Sequence, residues 1–102
     1  MSFASFDSYV DAHAHEFIAR LQQLCRIPSI AADGGPAMEQ AAAAVCELAG
    51  LAGLRVEQVA TDGGPDIVLA QAGAGARGLL VYNHYDVQPP DPLDEWLTPP
   101  FG

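Results

Sequence analysis

A chain of 102 residues has room for one small domain, or for part of a larger one. Half of the residues are apolar and 17% are charged, which argues against disorder over most of the length and supplies material for a packed core. Four arginines, no lysine and thirteen acids give a formal net charge of −9, so no basic face can form against nucleic-acid phosphates or an anionic membrane surface.

The first predicted element runs from about Phe6 to Cys25. Val10, Ala14, Phe17, Ile18, Leu21, Leu24 and Cys25 recur at steps of three and four and paint one apolar stripe down a helix. Ser5 or Asp7 is placed to cap its start, and Ser8 with Asp11 has capping-box spacing. Pro28 ends it, because proline drives the residue before it out of the helical region. The expectation is an amphipathic helix with one face in the core.

A turn-rich stretch, Ser29 to Gly35, leads to Pro36, which suits the first turn of a second helix. The alanine-rich run Gln40 to Ala49 favours helix, and Gly53 is placed to close it with Leu54 as the apolar contact beyond. The period then changes to two. Leu54 to Val59 predicts a strand with Arg55 and Glu57 on its wet face. Two short apolar runs, Asp66 to Ala70 and Gly78 to Tyr82, predict strands covered on both faces, joined by a hairpin-like linker from Ala72 to Arg77. Two helices followed by three strands of a mixed sheet is an α/β layout. The tail from residue 88 to 102 is a loop, because Pro89, Pro90, Pro92, Pro99 and Pro100 exclude regular structure. Trp96 is expected to pack this loop onto the body.

Cys25 and Cys46 have neither CxxC nor finger spacing and read as buried free thiols. The start of the chain has no basic and apolar signal regions, and no apolar run approaches ~18 residues. The expectation is a soluble, cytoplasmic protein. His13 and His15 point about 200° apart on a helix, which suits solvated side chains rather than a shared metal. Asp33-Gly34-Gly35 and Asp62-Gly63-Gly64 read as turns, and Gly73-Ala74-Gly75 lacks the following helix of a phosphate cradle.

The chemistry concentrates in Val81-Tyr82-Asn83-His84-Tyr85-Asp86-Val87-Gln88-Pro89. Residues two apart on extended backbone face the same side, so His84 and Asp86 can project together. A neutral imidazole can bind a metal through one ring nitrogen while a carboxylate holds the proton of the other, fixing the tautomer and raising the ligand's basicity. One histidine and one aspartate do not complete the usual three- or four-ligand site, and a single His-x-Asp step also occurs where a histidine merely makes local hydrogen bonds.

The longer string from His84 to Phe101 keeps the order histidine, any residue, Asp-Val-Gln-Pro, an acidic proline-broken spacer, Trp, Pro and Phe over eighteen residues. It resembles the first zinc-site segment of the aminoacylase, carnosinase and acetylornithine deacetylase family of metallopeptidases, and its Val-Gln-Pro and Trp form is nearer the dipeptidase branch than the deacylase branch. Leu24-Cys25-Arg26-Ile27-Pro28-Ser29-Ile30 and Gly53-Leu54-Arg55-Val56-Glu57 extend the likeness upstream. Asn83 departs from the glycine of many relatives, a small change because asparagine tolerates unusual backbone angles.

The resemblance implies that His84 binds one zinc ion and that Asp86, assigned to the catalytic machinery, orients it. It also implies that the complete enzyme holds two zinc ions, takes a small peptide or N-acyl amino acid as substrate and is compatible with a homodimer. The bridging aspartate, the Glu-Glu pair, the further acid and the distant second histidine of that family have no counterpart within residues 1–102. The chain is therefore expected to be an incomplete N-terminal part of the catalytic domain, inert by itself. The alternatives are a non-catalytic interaction module and, within the family, an amino-acid deacylase.

Overall fold

A computed structural model describes residues 2–102; Met1 lies outside the described residues. Two α-helices come first, α1 (Ala4–Cys25) and α2 (Pro36–Leu51), and then two strands, β1 (Arg55–Val59) and β2 (Ile67–Gln71). The strands pair antiparallel in a two-stranded sheet, with Val56 opposite Ala70 and Gln58 opposite Val68. The α/β character stands.

The helix α1 starts earlier than the stripe suggested. Phe3 occupies its N-cap without a side-chain cap bond, so neither Ser5 nor Asp7 performs that role; the Ser2 hydroxyl instead accepts the Ala4 N–H at 3.3 Å. Its stripe is present but not buried. No side chain of α1 is buried, and Phe17, Ile18 and Leu21 stand exposed. The expected core face of α1 is thus an open face, because the helix rests chiefly on α2 and touches it sparsely.

The core sits instead around the start of α2 and the turn before it. Met38, Ala41, Ala42 and Ile27 are buried, and so is Ser29 at 1% exposure. Pro36 at the first turn needs no N–H partner, and Met38, Ala41 and Ala42 follow it at helical spacing on one inward face. The C-terminus closes as expected. Gly53, at φ 81°, donates to the Gly50 carbonyl at 2.9 Å, and Leu54 donates to the Ala49 carbonyl at 3.1 Å. These are the two bonds of a Schellman close, and the left-handed glycine feeds the chain directly into β1.

Among the described residues the third strand does not form. Residues 78–82 carry no strand ladder, and Leu79 and Leu80 are 90% and 88% exposed. An apolar run yields a strand only where a neighbouring backbone accepts and donates its hydrogen bonds, and here the sheet stops at β2. The hairpin that forms joins β1 to β2 through residues 60–66, not β2 to a third strand through Ala72 to Arg77. Covering on both faces fails as well: Ile67 and Leu69 are exposed on the side that α2 does not cover.

The molecule is correspondingly extended. Its radius of gyration is 16.5 Å, against about 13 Å for a packed domain of this length. A further correction concerns the thiols: both cysteines are free, but Cys25 is exposed and Cys46 only half-buried, its Sγ 3.7 Å from the Gln58 side-chain oxygen.

Gly53→Ala isolates the cost of the α2 close. An added Cβ meets nothing within 4 Å, so the penalty is purely one of backbone conformation. Urea titration is expected to show a loss of about 1–2 kcal/mol; an unchanged midpoint would mean that the left-handed close contributes nothing to stability.

Candidate functional site

The site is built on residues 84–87, which cross the turn between the two helices. Two contacts fix the crossing. The Val87 N–H donates to the Ser29 carbonyl at 2.9 Å, and the Ser29 hydroxyl donates to the Tyr85 carbonyl at 3.4 Å. Ser29 reaches this position because Pro28 has ended the helical run and turned the chain.

His84 and Asp86 meet as the sequence pattern allows. Nδ1 of His84 lies 3.0 Å from Oδ1 of Asp86 and 3.0 Å from its carbonyl oxygen. Both partners are acceptors, so Nδ1 carries the proton and donates it, and the lone pair belongs to Nε2. That is the tautomer in which Nε2 can serve as a metal donor. The His84 side chain is 69% exposed and that of Asp86 36%, so the imidazole is open to a ligand from solvent. Asn83 has no left-handed backbone angle, and its departure from glycine costs nothing in conformation.

Between them, Tyr85 turns the other way. Its hydroxyl donates to the Asp66 carbonyl at 2.5 Å, just before β2. Burial, and then the charges of Asp66, Asp86 and Cys46, push its phenol above the usual 10.0. Ser29, Tyr85 and Asp66 were given no role from the sequence. The alternation of an extended chain carried a signal for Tyr85, since a residue between two outward side chains must point inward.

Among the described residues no three His, Cys, Asp or Glu side chains gather closely enough to hold a metal ion. The residues present fit one oriented ligand, not a whole centre. The other histidines lie apart from it: His13 stacks on Tyr9 with centroids 4.1 Å apart and donates Nδ1–H to the Tyr9 carbonyl at 2.8 Å, and His15 is exposed. Trp96 donates to the Pro90 carbonyl at 2.7 Å, a bond within its own loop, and remains half-exposed. A shallow groove of about 470 Å³ runs between the start of α2 and the 63–66 turn, lined by Met38, Glu39, Gln58 and Asp66. No helix of the described residues is long and apolar enough to cross a membrane.

The chain is 35% identical over 115 residues to the Cys-Gly metallodipeptidase of Schizosaccharomyces pombe, a match covering 99% of this chain and 24% of that protein. It is 38% identical over 90 residues to the succinyl-diaminopimelate desuccinylase of Methylobacterium nodulans, covering 83% and 22%. With the Beta-Ala-His dipeptidase of Rattus norvegicus the identity is 33% over 110 residues, covering 91% and 22%. The chain belongs to the family that these dipeptidases and this desuccinylase represent. It spans less than a quarter of the length of these curated relatives. No family model matches the chain, and no solved structure matches it.

The Tyr85 phenol gives the site a pH signature. Because the folded chain holds this proton more tightly than the unfolded one, its contribution to stability is intact below pH 10 and is lost as pH rises above it. The tyrosinate absorbance that Tyr85→Phe removes is expected to be the part that titrates last, above pH 10; removal of a part that titrates together with Tyr9 and Tyr82 would contradict the burial of this hydroxyl.

Proposed function

We propose that this chain is the N-terminal part of a zinc-dependent, dipeptidase-like hydrolase of peptide or amide bonds, in which His84 binds one zinc ion and Asp86 orients His84. The observation that carries the reading is the His84–Asp86 contact at 3.0 Å, which leaves the Nε2 lone pair facing outward. The metallodipeptidase relatives support the reaction class and a metal requirement.

Each residue has a definable task. Asp86 accepts the Nδ1 proton through its carboxylate and its own carbonyl, so the ring cannot adopt the opposite tautomer without breaking both bonds. His84 then offers Nε2 as a neutral donor. His84 would hold one ion of a two-ion centre, which would supply water activation and polarisation of the scissile carbonyl. The rest of that centre, including its base and second ion, is assigned to sequence outside residues 1–102. The 102-residue chain is accordingly proposed to be inert, and the whole protein to be cytoplasmic and to act on a small peptide. A deacylase taking an N-acyl amino acid is the reading within the family that the desuccinylase favours.

A second reading, a non-catalytic interaction module, draws on a different observation. Phe17, Ile18 and Leu21 of α1 and residues 79–82 form exposed apolar surface that favours association. A monodisperse protein at micromolar concentration that binds no hydrophobic dye would remove this alternative.

In a longer protein carrying this sequence, His84→Ala is expected to abolish zinc retention and hydrolysis together, and Asp86→Ala to weaken zinc affinity by about 10- to 100-fold. Metal analysis alongside dipeptide turnover checks both; full zinc occupancy with normal turnover in His84→Ala would sink the assignment. The 102-residue chain supplied with zinc is expected to give no turnover above buffer.

A further inference from the structure

An exposed His–Asp contact is ordinarily worth little, since solvent screens it and two side chains must be held still to make it. The pair at residues 84 and 86 is exposed, so its geometry requires support from elsewhere. The support comes from the opposite side of the same backbone. Tyr85 is anchored through its hydroxyl to the Asp66 carbonyl, 19 residues back in sequence, and through its carbonyl to the Ser29 hydroxyl, 56 residues back. Val87 is tied to the Ser29 carbonyl. Three hydrogen bonds from two separate parts of the chain therefore clamp the backbone on either side of Asp86.

The clamp has a built interior. Ser29 is 1% exposed, and Ile27 nearby is also buried, so the anchor cannot slide without opening the small core. Asp66 is held in turn, its carboxylate accepting the Gln58 side-chain N–H at 2.7 Å. Tyr85 thus links the His84–Asp86 step to the β1–β2 hairpin through a rigid aromatic strut.

We propose that Tyr85, backed by Ser29, is a positioning residue: its phenol–Asp66 bond fixes the backbone between His84 and Asp86 and thereby holds His84 in the Nδ1–H tautomer. The inference rests on the reading of His84 Nε2 as a metal donor only for its functional meaning. Its physical content, a tautomer set by an inward-facing neighbour, stands or falls independently. The middle position of the His-x-Asp step is then occupied by a residue whose hydroxyl has a defined acceptor, not by filler.

The test uses the 102-residue chain with ¹⁵N-labelled histidine, without metal, at a pH where the imidazole is neutral. Long-range ¹⁵N–¹H spectra are expected to show His84 predominantly as Nδ1–H. In Tyr85→Phe the Nε2–H form is expected to overtake it, whereas Tyr82→Phe, which alters an exposed tyrosine, leaves the ratio unchanged. A wild-type tautomer ratio in Tyr85→Phe, with the remaining amide spectrum intact, overturns the proposal. A measurement on the unmodified chain guards against a variant that fails to fold: the Val87 amide is expected to exchange about tenfold or more slowly relative to a free peptide, and exchange at the free-peptide rate also overturns it. A confirmed tautomer shift in a protein whose longer form neither binds zinc nor hydrolyses dipeptides would leave the clamp standing and remove only the metallopeptidase assignment.

Discussion

The hydrogen bond from the Val87 N–H to the Ser29 carbonyl ties the segment carrying His84 to the turn between the helices, and the geometry of the site depends on it together with the Tyr85 anchors. Without it the segment carrying His84 has only the Tyr85 anchors to the body. Ser29 can make the bond because Pro28 stops the helical run and turns the next residue inward, where burial strengthens a backbone hydrogen bond by excluding competing water. A local steric rule, the incompatibility of proline with the helical region before it, is thus converted into a long-range contact.

What the arrangement provides chemically is restricted and definite. A histidine held by a carboxylate and a carbonyl on the same nitrogen has one remaining basic site, aimed at solvent. It can contribute one coordination bond. A hydrolytic centre needs several, and among the described residues no three His, Cys, Asp or Glu side chains gather to hold an ion. The matched share of the relatives is less than a quarter of their length.

The parts of this structure that depend on local chemistry were legible in the sequence. Pro28 and Pro36 bracket the turn between the helices, and Gly53 with Leu54 marks the close of α2, because each acts within one turn of chain. The His-x-Asp juxtaposition was legible from a two-residue period. What could not be read were facts about partners. The run Leu79-Leu80-Val81 has the composition of a buried strand, but composition cannot say which backbone it pairs with, and among the described residues it pairs with none. The stripe of α1 predicted a helix correctly and a buried face incorrectly for the same reason. Ser29, Tyr85 and Asp66 escaped notice because their contacts span 19 and 56 residues, distances over which no sequence period operates.

The helix α1 has 22 residues, about 33 Å of rod at 1.5 Å per residue, and buries none of its side chains. A helix held chiefly by its own backbone is only marginally formed in water, since propensity without tertiary cover contributes little. Its ion pair, Arg20 with Glu16, lies at the surface and adds little to that. The element most plainly written in the sequence is therefore the one least secured in the structure. Its outer turns should melt and re-form many times while the Ser29 turn stays shut, so that the rod offers a protease an opening that the buried turn does not.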